Sequence, residues 1–215
     1  MIPERLAHAI ASGCDALGQS ADDSTRRQYA TLLIELERWG ARINLTAIRA
    51  VDEMISGHLL DSLAARPYLR GDSVIDIGTG AGFPGLPLAI AEPERTFVLL
   101  DSSAKKISFV QHIATKLRLQ NVSAIQTRAE DYAPARTFDT VTARALAAIP
   151  RIIELGGHLA GEKGVLLALK GRYPAEELEQ TKQLATRWDF KVSKVHVPGL
   201  DEHSRHIISL ERRAE

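Results

Sequence analysis

The sequence predicts an α/β fold: a mostly parallel sheet of seven strands, ending in an antiparallel hairpin and preceded by a helical extension. Three observations carry this reading. From residue 73 onward, short continuous apolar runs alternate with amphipathic stretches, the pattern of strands buried on both faces between crossover helices. The first run leads into SVIDIGTGAGFPG at 73–85, a turn with four glycines that opens a helix. The last two strand-like runs are joined by PGLDEHS with no helix between them, which makes them an antiparallel pair. Residues 1–70 show no strand signal, so the chain divides into a helical extension, 1–70, and an α/β domain, 71–215.

Taken in order, a first helix is expected over 3–17, with Leu6, Ala9, Ile10 and Ala16 as its apolar positions. Asp22, Asp23, Ser24 and Thr25 supply capping chemistry for a second helix, whose stripe is Tyr29, Leu32, Leu33, Leu36 and Ile43. NLTAI at 44–48 breaks the pattern. A third helix runs from about 51 to Pro67 on Met54, Ile55, Leu59, Leu60 and Leu63. His58 and Asp61 lie three apart on it, near one face, and suit either an intrahelical polar pair or a site. Strands follow at 74–77, 96–100, 122–126, 138–143, 164–169, 189–197 and 205–211. The clearest helix between them is 104–117, with Ile107, Val110, Ile113, Ala114 and Leu117 inward and Lys105, Lys106, His112, Lys116 and Arg118 on a solvated face. Further helices are expected at about 148–160 and 174–188. Each parallel crossover is expected to be right-handed.

Composition bounds the rest. The chain of 215 residues carries 27 basic and 27 acidic side chains, so a polyanion must be met by a local patch and not by the overall field. One cysteine, Cys14, excludes an internal disulfide and suits a reducing compartment. The first residues are charged too early for a secretory signal, and no apolar run has the length of a membrane span. A soluble, cytoplasmic protein is expected, with no membrane contact.

The glycine turn points to a nucleotide-like ligand, because such turns at the carboxyl end of a strand let backbone approach a ligand closely. Gly80, Gly82 and Gly85 satisfy the dinucleotide spacing, yet four features argue against that cofactor. The glycines start one step earlier, as Asp76-x-Gly78-x-Gly80-x-Gly82. Asp76 sets a carboxylate beside the turn, suited to a cationic ligand portion. Phe83, Pro84 and Pro87 crowd the helix start. The terminal hairpin is foreign to a doubly wound dinucleotide sheet. No Lys-Ser/Thr follows the glycines, which excludes a triphosphate loop. Asp101, ending the second strand, can accept from both hydroxyls of a ribose or cap the helix behind it. Ala129 and Glu130 occupy the loop after the third strand, and Arg144 ends the fourth. Asp76, Asp101, Glu130 and Arg144 thus share one crevice outside the carboxyl ends of the strands.

This arrangement resembles the S-adenosylmethionine-dependent methyltransferases. NLTAI, HLLDSL, DIGTGAGFPGLPLAI, LLDSSAKKISFV, TARALA, ALKG and RHIISL together resemble the bacterial 16S rRNA guanine-N7 methyltransferase family, also called glucose-inhibited division protein B. The resemblance covers nearly the whole chain. It implies a Rossmann-like class I methyltransferase fold, S-adenosylmethionine as cofactor, and contacts to it from Gly78, Phe83, Ala129, Glu130 and Arg144. It implies, as substrate, a guanine in 16S ribosomal RNA, expected to be guanine 527.

The residues agree with that chemistry. Methyl transfer from a sulfonium needs mainly positioning and exclusion of water. Cys14 is remote from the motif loops, against a cysteine nucleophile, and the loop after the fourth strand reads Ala143-Arg144-Ala145 where an exocyclic-amine methyltransferase carries Asn/Asp-Pro-Pro-aromatic. Guanine N7 has a free lone pair and no proton, so its attack requires no base. Arg144 is the leading catalytic candidate, to hold the cofactor carboxylate or present guanine O6, unless it merely pairs with Asp139 or Glu154. Lys170, Arg205 and His206 are candidate RNA contacts, Lys170 foremost, with Lys105, Lys106, Arg172, Arg26, Arg27, Arg38 and Arg42 as further surface charge. With no RNA-recognition, KH or zinc module in the chain, a monomer acting on a ribosomal particle is expected. A small-molecule methyltransferase, a cofactor-binding regulator and an NAD-dependent dehydrogenase are the competing readings.

Overall fold

Seven strands hydrogen-bond into one sheet in the order β3-β2-β1-β4-β5-β7-β6. They are β1 (Ser73–Ile77), β2 (Thr96–Asp101), β3 (Val122–Gln126), β4 (Phe138–Arg144), β5 (Ala160–Lys170), β6 (Trp188–Val195) and β7 (Arg205–Arg212). Six run in one direction, and β7, antiparallel to both β5 and β6, runs in the other. This is a computed structural model, and it describes residues 3–41, 43–201 and 204–213. The sheet has the expected strands and hairpin. The sequence did not reveal that β7, the later strand, wedges between β5 and β6.

The strand order reverses between β1 and β4, and there the connections leave the carboxyl ends in opposite directions and open a crevice. Gly78 follows β1 and Arg144 ends β4, so these two residues flank the opening.

Alternation along the strands divides the core in two. Val74, Phe97, Leu99, Val165, Leu167, Leu169 and Ile207 pack on one face, against α1 (Glu4–Ala16), α2 (Asp23–Gly40), α5 (Gly85–Ala91) and α6 (Ala104–Leu117). Ile75, Ile77, Leu100, Val141, Ala143, Leu166, Ala168, Ile208 and Leu210 face α7 (Ile149–Gly156) and α8 (Ala175–Leu184). The N-terminal helices therefore share a core with the sheet. Leu6, Ile10, Tyr29, Leu32, Leu33, Leu36, Leu59 and Leu60 lie in the same cluster as Val74 and Phe97.

Three local expectations are corrected. The third helix is not continuous: α3 (Val51–Met54) passes into a π-helical turn (Ile55–Leu60) and then α4 (Asp61–Leu63), and Pro67 lies in a separate 3-10 turn, Arg66–Tyr68. Helix α2 stops at Gly40, so Ile43 lies beyond the stripe. The polar face of α6 is not simply solvated. Buried Glu35 of α2 accepts from Arg38 at 3.0 Å and meets His112 at 2.7 Å and Lys116 at 3.4 Å, which ties α2 to α6. These partners hold the Glu35 carboxyl below its ordinary range despite its burial.

Candidate active site

The glycine turn is held from beneath by Asp76. Its side chain is buried, with Oδ2 accepting from the Thr79 hydroxyl at 2.5 Å and Gly85 N–H at 3.1 Å, and Oδ1 from the Thr142 hydroxyl at 2.9 Å. Burial pushes its pKa up to about 6, against the opposing pull of those three donors. Asp76 was expected to face a cationic ligand, and the structure corrects this: alternation turns it inward with Thr142, and its oxygens are spent on the turn. Gly85 belongs to the same device, since a Cβ there would lie 2.7 Å from Leu99 and 3.0 Å from the Asp76 carboxylate.

Gly80 differs from the glycines around it. It has φ +61°, and a Cβ built on it meets nothing nearer than the Gly78 carbonyl at 4.0 Å, so the turn is open at this point. Asp101 lies across from it at the end of β2. Its Oδ2 accepts from Gly80 N–H at 3.0 Å and its Oδ1 from Ser103 N–H at 2.9 Å, with the Lys106 ammonium at 3.4 Å. A carboxylate has about four acceptor positions, so Asp101 retains capacity for a diol beside an open backbone turn. Ser103, not Asp101, is the N-cap residue of α6, and its hydroxyl makes no capping bond. Ala129 and Glu130 form a 3-10 turn after β3; Ala129 is buried and Glu130 exposed. Thr127 N–H donates to the Asp101 carbonyl at 3.2 Å, which sets this turn beside the Asp101 strand end.

Arg144 shows the largest departure from expectation. Neither Asp139 nor Glu154 pairs with it. Alternation along β4 directs it to the face covered by the N-terminal helices, where Nη1 donates to Asp61 Oδ2 at 2.9 Å and the Gly57 carbonyl at 3.1 Å. Nη2 donates to His58 Nδ1 at 3.2 Å. Arginine has only donors, so His58 Nδ1 must be unprotonated and Nε2–H faces the Thr46 hydroxyl at 2.6 Å. Burial, and secondarily the Arg144 charge, lowers the His58 pKa to about 4, which keeps the ring neutral. Phe83 stacks on His58 with centroids 4.9 Å apart, and the Arg144 guanidinium lies 5.5 Å from the same ring. Phe83 is 4% exposed, so its ring braces the arginine and the histidine and offers a ligand no open face. Ala145 follows with φ +52°, a left-handed conformation costly for alanine, at the rim of the crevice.

The three RNA candidates part company. Arg205 shares the Arg144 face and donates through Nε to Asp61 Oδ1 at 2.9 Å. Lys170 and His206 project to the other face. The Lys170 ammonium is held by the Ala147 carbonyl and Glu177, both at 2.7 Å, and Glu177 also accepts from Ile149 N–H at 2.8 Å. Lys170 thus locks the loop between β4 and α7, which corrects its reading as a phosphate contact. His206 is buried beneath the edge of Tyr173, its Nδ1 has no partner among the described residues, and burial lowers its pKa. Burial favours its uncharged ring, against its reading as a cation for RNA. A cavity of about 360 Å³ nonetheless gathers Arg144, Ala145, Lys170, Arg205 and His206 around one mouth, with His58 and Asp61. Of the further charges, Arg26, Arg38 and Lys106 pair with Asp23, Glu35 and Asp101. Arg42 lies outside the described residues.

His58 and Asp61 are the site residues that sequence reasoning singled out without placing. Their spacing allowed a pair within the helix; instead both turn to Arg144.

The family described as GidB, rRNA small subunit methyltransferase G, matches residues 25–208. The chain belongs to this family. A GidB-family relative from Idiomarina loihiensis, named Ribosomal RNA small subunit methyltransferase G, is 44% identical over 87% of this chain and 89% of its own. Another of that name, from Coxiella burnetii, is 40% identical over 95% of this chain and 98% of its own. Among solved structures, a SAM-dependent methyltransferase from Thiobacillus denitrificans in complex with S-adenosyl-L-homocysteine superposes with a TM-score of 0.53 at 14% identity. That match covers 72% of this chain and 90% of the other. The GidB-family chain thus has the Rossmann-like class I methyltransferase fold.

Proposed function

We propose that this chain transfers a methyl group from S-adenosylmethionine to N7 of a guanine in 16S ribosomal RNA, the guanine expected at position 527. The observation that carries the reading is the juxtaposition of the open Gly80 turn, the Asp101 carboxylate and Arg144 at the sheet's reversal point. Membership of the GidB family supports the RNA substrate, and the homocysteine complex of the Thiobacillus protein supports the cofactor.

The residues present fit that cofactor. Asp101 would accept from the ribose hydroxyls, Gly80 would admit it to the backbone, and the Ala129–Glu130 turn would border its base. When bound, S-adenosylmethionine supplies an activated methyl group. The chain's work is then to hold, orient and exclude water. Arg144 keeps Nε–H and one Nη2–H without a partner among the described residues, enough to hold a carboxylate or guanine O6. His58 has both ring nitrogens engaged, so it is not a free base. This suits N7, whose lone pair needs no deprotonation.

The same reading makes the substrate a ribosomal particle and the enzyme a cytoplasmic monomer. Arg27, Lys105 and Arg172 are among the exposed cations that make no ion pair among the described residues, but 27 acidic side chains balance the 27 basic ones, so naked RNA meets no net positive field and a shaped particle supplies part of the recognition. Among the described residues no helix is long and apolar enough to cross a membrane. The deciding experiment maps N7 methylation in 16S rRNA from a strain lacking the gene. Loss of one modified guanine, restored by the gene, is expected; fully methylated rRNA rejects the function.

A further inference from the structure

We propose that Asp61 and His58, carried by the N-terminal helices, set the aim of the Arg144 guanidinium and are positioning residues for methyl transfer. The inference rests on the reading that Arg144 serves at the reacting centre.

The guanidinium is constrained from three directions by groups outside its own strand. Asp61 Oδ2 and the Gly57 carbonyl both accept from Nη1, at 2.9 and 3.1 Å, and fix the head of the fork. His58 Nδ1 accepts from Nη2 at 3.2 Å and fixes its rotation. The Phe83 ring, itself stacked on His58, lies against the arginine. Each constraint has its own anchor. Asp61 Oδ1 is held by Arg205 at 2.9 Å, and His58 Nε2 by Thr46 at 2.6 Å. Thr46 is held in turn, its hydroxyl accepting from Ile48 N–H at 3.1 Å. The π-helical turn places these groups: Gly57 and His58 lie inside it and Asp61 directly follows, and an extra residue per turn of this kind re-aims side chains at functional sites.

A plain staple between helices and sheet needs attraction but no particular geometry. Here the charges are arranged otherwise. One carboxylate is shared by two guanidiniums, and the third group on Arg144 is a neutral ring that adds orientation without neutralising charge. The cluster therefore keeps an excess of positive charge and the arginine is pinned in direction, on the lining of the 360 Å³ cavity. The preorganised, desolvated donor that results is the form in which an arginine acts on developing or resident charge.

The test uses the full-length enzyme and single-turnover methylation of small-subunit particles lacking the modification, with calorimetric S-adenosylmethionine binding and thermal melting alongside. Asp61→Asn is expected to slow transfer about tenfold or more, with cofactor affinity within about threefold where Arg144 presents guanine O6 and falling alongside the rate where Arg144 holds the cofactor carboxylate. In an Arg144→Lys background the same substitution is expected to add less than about threefold, because it acts through the arginine. His58→Asn keeps an acceptor for Nη2 and is expected to be faster than His58→Phe, which keeps the stacking on Phe83 and loses the acceptor. The control, Asp52→Asn, breaks an exposed pair with Arg5 on the same helical segment and should leave the rate unchanged.

Wild-type transfer by Asp61→Asn overturns the proposal. So does full multiplication of its effect with Arg144→Lys, or His58→Phe outperforming His58→Asn. Should Asp61→Asn not fold, the His58 pair decides. Wild-type transfer by Arg144→Ala would instead remove the reading of Arg144 on which the proposal rests.

Discussion

At Arg144, removal of the guanidinium leaves Asp61 still paired with Arg205, so no buried charge is orphaned. Arg144→Ala is therefore expected to cost stability only about 1–2 kcal/mol while slowing methyl transfer at least about tenfold. Thermal melting beside a turnover assay checks both halves. Asp101 predicts the opposite division. Asp101→Ala frees Gly80 N–H and removes the diol acceptor, so S-adenosylmethionine affinity should fall about tenfold or more in calorimetry. Two groups near the crevice make opposed contributions with pH. Asp76, raised to about 6, binds its proton first in the folded state, so its stabilisation is present at low pH and lost as pH climbs through about 6. His58, lowered to about 4, does the reverse: its stabilisation is present above its ordinary value of 6.5 and lost as pH falls towards 4. Each is worth roughly 3 kcal/mol, and the two windows overlap. Asp76→Asn removes one side of the balance, so urea unfolding of that variant should show stability rising with pH between about 4.5 and 6. An unchanged slope would contradict this. Asp101 and Arg144 were legible in the sequence because each ends a strand beside the glycine turn. The inward turn of Asp76 and the sorting of Arg205 from Lys170 and His206 follow from the two-residue period of β1, β5 and β7. That information was present in the sequence, but it has meaning only once each face is known to carry different helices.

Among the elements, the glycine turn and α6 could be read directly, since glycine spacing and a one-sided apolar stripe are local signals. The π-helical turn could not be read. Met54, Ile55, Leu59, Leu60 and Leu63 satisfy an unbroken helix as well as an interrupted one, and the arginine that the interrupted segment meets lies on β4, far along the chain. The Glu35 junction escaped for a similar reason, because α2 and α6 meet only in three dimensions. Asn121 shows how a loop residue secures an element. The two N–H bonds of its Nδ2 are shared among the carbonyls of Ala89, Glu92 and Arg95, at 3.0, 3.2 and 3.1 Å, and so close the carboxyl end of α5 and the turn into β2. Asn121→Ala leaves those carbonyls short of a donor and is expected to lower unfolding free energy by about 1–3 kcal/mol in urea titrations, with the cofactor contacts at Asp101 intact. A variant as stable as wild type would show that water replaces the amide.

Across the whole molecule, the change of pattern at residue 73 was plain, and the alternating grammar beyond it led to the right sheet. What the helices before it do was not plain, because an amphipathic stripe shows that a helix packs and not against what. They pack on α5 and α6, close the apolar cluster that holds Val74, Phe97 and Leu99, and deliver His58 and Asp61 to Arg144. A chain begun at residue 70 would lay that cluster open and is expected to be insoluble or to melt without cooperativity in calorimetry. A soluble, cooperatively melting fragment would show the α/β part to be self-sufficient. The antiparallel course of β7 has one more effect. It returns Arg205 to the carboxyl end of β5, so Asp61 is shared between an arginine of β4 and one from a strand that starts at residue 205. A chain growing from its amino end therefore carries the carboxylate and the first arginine long before the second arrives. The crevice is completed only when residue 205 emerges, after the other described elements, so a nascent chain halted before it would hold the cofactor turn without the finished clamp on its arginine.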